Sequence, residues 1–149
     1  MTENDSDRES VYEFDVEWGD CDPADIVYYP NYYRWFDNAT HRLFARAGFA
    51  LDSVRKQHES LGFPLVDARA TFRAPARVGD RLAVHSRVSA IGRKSITVEH
   101  RVTRGDTLLV EGREVRIMGT RKPDGDLAAT PVPFALRSHF GFADHGADG

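Results

Sequence analysis

The apolar side chains of this chain first alternate with polar ones and then recur at helical spacing. In residues 11–18, VYEFDVEW, apolar residues fill every second position and acidic residues lie between them, which predicts a strand with one buried face as far as Trp18. From Pro30 to Ala47 the apolar residues recur every three or four positions, which predicts an amphipathic helix of about 27 Å. Pro30 suits the first helical turn, and Gly48 suits the residue just past the end.

The rest of the chain predicts a short helix followed by strands. Residues 51–60, LDSVRKQHES, favour a second helix that ends before Gly62. Alternation then returns in the segments LVDARATFRA, RLAVHSRVSA and SITVEHRVTR. Short turns are expected at residues 78–80, 92–94 and 104–106. In TLLVEGREVRIMGT the apolar positions change phase across Gly112, which predicts a bulge or a strand covered on both faces.

This order of elements predicts an α+β fold. One strand, one long helix and about four antiparallel strands are best packed as a curved antiparallel sheet wrapped around the helix, since the sheet needs a cover for its apolar face. Such a sheet leaves edges with unpaired backbone groups. We therefore expect a homodimer, or a dimer of dimers, in which an edge strand pairs with its copy.

Length and composition narrow the class of protein. The 149 residues suit one domain, which we place at residues 11–136, between a disordered segment at 1–10 and a loosely ordered one at 137–149. Hydrophobic residues at 41%, charged residues at 29% and a net charge of −3 argue against a nucleic-acid or membrane partner. A single cysteine and the lack of an apolar leader or long apolar run indicate a cytoplasmic protein.

The candidate chemistry lies at residues 19–37, GDCDPADIVYYPNYYRWFD, where three acidic residues precede the long helix. Free N–H groups and the positive end of the helix dipole suit an anion at that point. Asp22 is thus a candidate reactive carboxylate, although Asp before Pro also commonly initiates a turn. Cys21 is interpreted as a buried structural residue, because no histidine lies nearby in sequence to activate it. The histidine and cysteine spacing predicts no metal site.

These motifs resemble the hotdog-fold acyl-CoA thioesterases, and most closely the bacterial 4-hydroxybenzoyl-CoA thioesterase type. The resemblance is carried by residues 17–37 and by GRKS at 92–95, and it extends roughly from Tyr12 to Pro133. It implies a hydrolase of an aromatic acyl-CoA, of the hydroxybenzoyl or benzoyl type, that needs no cofactor. In such a hydrolase Asp22 attacks the thioester carbonyl or activates water, while the backbone amide of Tyr29 polarises the carbonyl.

Further site residues follow from the same resemblance. An acyl pocket is expected from Tyr28, Tyr32, Trp35, Asp37, Phe63, Pro64 and Leu65. For any one of these aromatic residues core packing is the better explanation, whereas Asp37 suits a polar group such as a phenol. The turn residues Arg93, Lys94 and Ser95 are expected to contact the phosphates of coenzyme A, the alternative being a solvated hairpin turn.

Some features leave alternatives open. Related sequences usually carry Gly where this chain has Asp25, so that a strained, positive φ is expected there. The substrate class also has alternatives: a short-chain aliphatic acyl-CoA, or binding of an acyl-CoA without turnover. A hotdog dehydratase would use a histidine on the central helix, where His41 lies, but the pattern around His41 does not match that family.

Overall fold

A computed structural model describes residues 7–143 of the chain. In chain order its elements are β1 (Glu9–Asp15), a 3₁₀ turn (Trp18–Asp20), α1 (Pro30–Arg46), α2 (Leu51–His58), β2 (Leu65–Phe72), β3 (Arg81–Ile91), β4 (Ile96–Arg104), β5 (Thr107–Arg116), β6 (Met118–Arg121), β7 (Leu127–Thr130) and α3 (Phe134–His139). Five strands form one antiparallel sheet in the order β1-β3-β4-β5-β2, and β6 pairs with β7 in a separate hairpin.

The long helix has the predicted bounds to within one residue. Pro30 is its first residue, Arg46 its last, and Gly48 just beyond it has a φ of +87°. A Cβ is disfavoured at that φ, so glycine suits the end of the helix. One face of α1 is buried, and it carries Tyr32, Trp35, Phe36, Ala39, Thr40, Leu43 and Phe44.

That face packs on the inner face of the sheet. The inward positions of β3 and β4 include the predicted Leu82, Val84, Ser86, Val88, Ile96, Val98, His100 and Val102. Strict alternation predicts Ala90 as the next inward residue of β3, but a register irregularity between Val88 and Ala90 leaves Ala90 exposed and buries Ile91 instead. A sheet face of this size is shielded from water only by a long helix, which is why α1 lies across it. The predicted α+β architecture, a sheet wrapped around one long helix, is confirmed.

The prediction for β5 was wrong in one respect. The alternation does not change phase at Gly112, because Gly112, Glu114 and Arg116 are all buried and continue the inward series from Val110. The register irregularity lies elsewhere, beside Leu109. The inward positions after Gly112 hold the polar residues Glu114 and Arg116. Hydrophobicity alone would place Val115 inward, but Val115 lies on the other face of the strand.

Gly112 has a packing reason to lack a side chain. A Cβ built there would lie 2.5 Å from two ring atoms of Phe36, which is far inside van der Waals contact. The Phe36 ring is itself stacked on His100, with centroids 4.7 Å apart, so it has little room to move. Gly112 therefore lets the helix approach the sheet closely.

We expect Gly112→Ala to lower the free energy of unfolding by about 2 kcal/mol, the usual range for overpacking a core. Urea denaturation measures the change. Gly19→Ala is the matched control, since no atom lies within 4 Å of the Cβ it adds and Gly19 does not have a positive φ. Equal stability of the two variants would contradict the packing role of Gly112.

The two ends of the fold differ from the sequence expectations. The alternation of β1 stops before Trp18, which is 85% exposed because the chain turns there into the 3₁₀ turn. At the other end α3 continues past residue 136, and Arg137 and Phe140 are buried. The remainder of the predicted loose ends, residues 1–6 and 144–149, lies outside the described residues.

β1 and β2 are the two edge strands of the sheet. The edge strand β2 carries three exposed apolar side chains, Leu65, Val66 and Phe72. Within residues 7–143, no helix combines the length and the hydrophobicity that crossing a bilayer requires.

Candidate active site

The loop between β1 and α1 folds back onto the start of the helix. Cys21 and Val27 form an isolated antiparallel bridge, so residues between them make a tight reversal. The carbonyl oxygen of Asp20 accepts hydrogen bonds from the backbone N–H of Tyr28, at 2.9 Å, and from Nδ2 of Asn31, at 2.8 Å. The acidic loop is thereby fastened to the first turn of α1.

The carboxylate of Asp20 is engaged within the loop. Its Oδ2 accepts the backbone N–H of Glu17 at 2.9 Å, and its Oδ1 pairs with Arg34 of the helix at 3.2 Å. The first contact closes the 3₁₀ turn, and the second fixes that turn relative to α1. Asp20 therefore shapes the loop.

Asp22 is half-buried and adopts a turn geometry. Its Oδ1 accepts the backbone N–H of Ala24 at 2.8 Å, and its own N–H donates to the carbonyl of Ile26 at 2.9 Å. This is an Asx-type turn, so the turn role foreseen as one alternative is present. The same turn fixes the rotation of the carboxylate, and Oδ2 has no partner among residues 7–143.

The backbone N–H of Tyr29 is a free donor at the beginning of α1. The neighbouring amides are occupied, since Tyr28 donates to Asp20 and Asn31 donates to Tyr28, both at 2.9 Å. Pro30 has no N–H at all. Among the described residues, the amide of Tyr29 finds no acceptor, and it lies where the helix dipole is positive. An oxyanion is the natural partner for such a group.

Asp25 has a φ of +65°, which confirms the expected positive value. Its N–H donates to the carbonyl of Asp22 at 2.9 Å, so the strained residue closes the turn that holds Asp22. A left-handed conformation costs a non-glycine residue about 1 kcal/mol, and Asp tolerates it better than most residues.

We expect Asp25→Gly to raise the free energy of unfolding by up to about 1 kcal/mol, because glycine relieves this strain. The neighbouring variant Ala24→Gly should instead lose up to about 1 kcal/mol, since Ala24 lacks a positive φ and glycine only adds freedom to the unfolded chain. Thermal and urea unfolding of both variants test this. A strained loop is contradicted if Asp25→Gly changes neither stability nor activity.

Cys21 is half-buried rather than fully buried as predicted. Burial, together with the neighbouring carboxylates of Asp20 and Asp22, raises the pKa of the Cys21 thiol above its ordinary value. Its sulfur lies 3.9 Å from the carbonyl oxygen of Glu17. A thiol kept protonated in this way is a poor nucleophile at neutral pH.

The predicted acyl-pocket residues fall into two cavities on different parts of α1. The first, which we call the loop cavity, has a volume of about 350 Å³ and includes Tyr29, Tyr32 and Phe72 in its wall. The second, which we call the mid-helix cavity, has a volume of about 370 Å³. It is lined by Asp37, His41, Leu51, Leu61, Phe63, Pro64, Leu65, Arg116 and Leu127.

Four of the predicted pocket residues, Asp37 and residues 63–65, are therefore brought together in the mid-helix cavity. Tyr32 belongs to the loop cavity, and burial raises the pKa of its phenol to about 12. Trp35 lies in the core, 4.5 Å from Phe14 of β1 between ring centroids. Tyr28 is half exposed beside Tyr29.

Beneath the mid-helix cavity lies a cluster that the sequence analysis missed. We call it the buried ion cluster; it consists of His100, Glu114 and Arg116, each at most 3% exposed. Glu114 Oε1 lies 3.0 Å from His100 Nε2 and 3.2 Å from Arg116 Nε, and Oε2 lies 2.7 Å from Arg116 Nη2. Thr40 of α1 also donates to Glu114 Oε1, and Ser86 contacts His100 Nδ1 at 2.7 Å.

Glu114 and Arg116 of this cluster each stabilise the charged form of the other. Burial alone would raise the pKa of Glu114, but hydrogen bonds from His100 and Arg116 and their charges outweigh it and lower that pKa to about 2. Burial likewise opposes the charge of Arg116, yet Glu114 and then Asp37 raise the pKa of Arg116 above its ordinary value. Glu114 and Arg116 are thus a buried ion pair at neutral pH. Every second residue of β5 from Val110 onward faces inward, and this alternation was the signal that could have located the buried ion cluster.

The GRKS turn joins β3 to β4 and is held from behind by the C-terminal part of the chain. Gly92 N–H donates to Ser95 O at 2.9 Å, and Arg137 Nη2 donates to Gly92 O at 2.5 Å. The side chains of Arg93 and Lys94 are exposed and have no ion-pair partner among the residues described. They form a small cationic turn on a fixed base.

Comparison with known proteins shows that the chain is similar to thioesterases. Residues 16–139 match the family model described as the thioesterase-like superfamily. The chain is 36% identical over 127 residues to the 4-hydroxybenzoyl-CoA thioesterase of Pseudomonas sp. strain CBS-3, covering 79% of this chain and 87% of that one.

Two solved structures extend the comparison. A mutant 4-hydroxybenzoyl-CoA thioesterase complexed with 4-hydroxybenzoyl-CoA superposes with a TM-score of 0.82 at 29% identity, covering 89% of this chain and 99% of that one. A gentisyl-coenzyme A thioesterase gives a TM-score of 0.75 at 32% identity, with the same coverage.

Proposed function

The chain belongs to the hotdog acyl-CoA thioesterases of the thioesterase-like superfamily, and from this premise we propose that it hydrolyses an aromatic CoA thioester. The acyl group is of the hydroxybenzoyl or benzoyl type, and the products are the free acid and coenzyme A. The relatives of known substrate named above act on acyl groups that carry a hydroxylated aromatic ring.

The observation that carries the proposal is the free amide of Tyr29 next to the loop of Asp22. The thioester oxygen accepts the Tyr29 N–H, which stabilises the negative charge that develops when the carbonyl carbon is attacked. Loss of one such donor typically costs about 3 kcal/mol of transition-state stabilisation. Asp22 supplies the anion on the other side of the carbonyl.

Two routes use these groups. In the first, the free Oδ2 of Asp22 attacks the carbonyl carbon, the C–S bond breaks, the thiolate of coenzyme A leaves, and water then hydrolyses the mixed anhydride. In the second, Asp22 takes a proton from a water molecule that attacks the carbon directly, and the proton ends on the leaving thiolate. Both release the same acid and thiol.

The mid-helix cavity suits an aromatic acyl group that carries a hydroxyl. Its wall is largely apolar, with Phe63, Pro64 and Leu65 on one side, and Asp37 supplies a carboxylate. A few placed polar groups in an apolar cleft of this size are typical of small-molecule sites. The free Oδ2 of Asp37 accepts a hydrogen bond from a phenol, which an aliphatic chain does not supply.

A homodimer would complete this site. The outer edge of β2 is unpaired in the described chain, and it carries exposed apolar side chains. If two copies pair antiparallel along β2, Phe72 of one copy faces Leu65 of the other. The loop cavity of each subunit, which includes Tyr29, then adjoins the mid-helix cavity of its partner. Sedimentation measurements report the oligomeric state.

The GRKS turn is proposed to contact the phosphates of coenzyme A through Arg93, Lys94 and Ser95. We expect the double variant Arg93→Ala/Lys94→Ala to raise KM for an acyl-CoA about tenfold, since two charge-assisted contacts are lost. KM for the corresponding N-acetylcysteamine thioester, which has no phosphate, should stay within about twofold. Equal losses on both substrates would contradict phosphate binding at this turn.

Hydrolysis of a substrate panel tests the function itself. Hydroxybenzoyl-, benzoyl-, phenylacetyl- and short-chain acyl-CoA are compared by thiol release, and the proposal expects the highest kcat/KM on a benzoyl-type substrate. A preference for short aliphatic chains would instead favour the second candidate of the sequence analysis. Binding of all substrates without turnover would favour an acyl-CoA-binding module.

A further inference from the structure

The carboxylate of Asp37 is held from below by a side chain of the buried ion cluster. Nη2 of Arg116 donates to Oδ1 of Asp37 at 2.8 Å. His41 Nδ1 approaches the same oxygen, at 3.5 Å. Oδ2 of Asp37 has no partner among residues 7–143, and Asp37 itself is about half exposed on the wall of the mid-helix cavity.

Arg116 is in turn fixed on every side. Besides Asp37, its guanidinium donates to both oxygens of Glu114 and, through Nη1 at 2.9 Å, to the carbonyl of Phe63. Phe63 lines the same cavity. A planar guanidinium with all three nitrogens engaged has one orientation, and a lysine could not make these contacts from a single nitrogen.

Glu114 is itself anchored from two further elements. Thr40 of α1 and His100 of β4 both contact its Oε1, and the His100 ring stacks on Phe36 at an interplanar angle of 5°. The cluster therefore ties α1, β4 and β5 together directly beneath Asp37. Such a buried, fully paired network is more rigid than a surface ion pair.

We propose that Arg116, anchored by Glu114, is a positioning residue that aims the free oxygen of Asp37 into the mid-helix cavity and so selects a hydroxyl-bearing acyl group. This inference rests on the proposed function for the identity of the acyl group. Arg116 occupies one oxygen of Asp37, so that the other is presented to the cavity. Without it the half-exposed carboxylate is free to rotate towards water.

Binding of two non-hydrolysable ligands tests the inference apart from turnover. The probes are CoA thioethers that carry a 4-hydroxyphenacyl or a phenacyl group, and titration calorimetry measures their dissociation constants. The wild-type protein should bind the hydroxylated probe about tenfold more tightly, the value of one good hydrogen bond to a charged group. Arg116→Lys should reduce this preference, the ratio of the two dissociation constants, to less than about twofold.

Arg113→Lys is the matched control, since Arg113 lies on the same strand, is exposed on the opposite face, and should keep the full preference. Circular dichroism establishes that each variant is folded. If Arg116→Lys does not fold, Glu114→Gln replaces it, and its preference should fall about threefold because Arg116 loses its anchor.

The outcomes separate this inference from the proposed function. A folded Arg116→Lys or Glu114→Gln protein that keeps the full preference overturns the positioning role, and so does a wild-type protein that prefers neither probe. Preference for the hydroxylated probe without hydrolysis of any thioester refutes the proposed function alone.

Discussion

Asp22→Asn is expected to lower kcat on an aromatic acyl-CoA by at least about 100-fold, and towards 10⁴-fold, with little change in KM. The asparagine keeps a side-chain carbonyl oxygen, so the hydrogen bond from Ala24 N–H and the turn around it are preserved. What is lost is the charge and the free nucleophilic oxygen. Steady-state kinetics by thiol release measure the effect.

Asp25→Asn is the control for this loss, because it removes a neighbouring carboxylate from the same loop and asparagine tolerates the positive φ at that position. Its kcat should stay within about threefold of wild type, less than 1 kcal/mol in activation free energy. Full activity of Asp22→Asn would show that Asp22 shapes the turn and takes no part in the chemistry.

Isotope labelling distinguishes nucleophilic attack by Asp22 from general-base activation of water. A single turnover in ¹⁸O water puts label into Asp22 only if the mixed anhydride forms and is then hydrolysed at the aspartyl carbon. Mass analysis of the peptide that contains Asp22 detects it. Label in Asp22 identifies the nucleophilic route, whereas label in the product acid alone is the result expected if Asp22 is a general base.

Glu114→Gln is expected to lower the free energy of unfolding at pH 7 by about 3 kcal/mol, and this difference should vanish in acid. Hydrogen bonds from His100 and Arg116 and their charges hold the pKa of Glu114 at about 2 in the folded protein, against an ordinary pKa of 4.5 in the unfolded chain. The folded pKa is the lower one, so the unfolded chain binds the proton first as the pH falls. The stabilisation is therefore complete above about pH 4.5 and is lost as the pH approaches 2.

Urea denaturation of both proteins at pH 7, 4.5 and 3 measures this dependence. The groups facing Glu114 are His100, Arg116 and Thr40, and none of them is altered by the variant. Glu111→Gln on the same strand is the control: its pair with Arg73 is half exposed, so less than about 1 kcal/mol should be lost. A wild-type minus Glu114→Gln difference that is constant with pH would show that the charge of Glu114 contributes nothing.

The order of elements could be predicted because it depends on local periodicity. The spacing of apolar residues located α1 between Pro30 and Gly48, and strict alternation located β3 and β4, since each pattern matches one backbone geometry. The positive φ of Asp25 was also foreseen, from the comparison with sequences that carry glycine there.

The inward face of β5 could not be predicted in the same way. The cost of burying its charged side chains is offset by ion pairs and hydrogen bonds to residues that are distant in the sequence. Glu114 and Arg116 occupy inward positions that local hydrophobicity assigns to apolar residues. Glu114 is stable inside because His100 from another strand and Thr40 from the helix contact it. Arg116 is stable there because it pairs with Glu114 and Asp37. A charged residue alone predicts exposure, and only its partners reverse that prediction.

The sequence by itself determined the fold class and the loop in which Asp22 lies, since both follow from patterns among residues that are close together in the sequence. Tertiary structure alone decided that the amide of Tyr29 is left without an acceptor, that the expected pocket residues divide between two cavities, and that Asp37 is held by Arg116. Asp37 and Arg116 are 79 residues apart, and only the packing of α1 against β5 brings them within hydrogen-bonding distance.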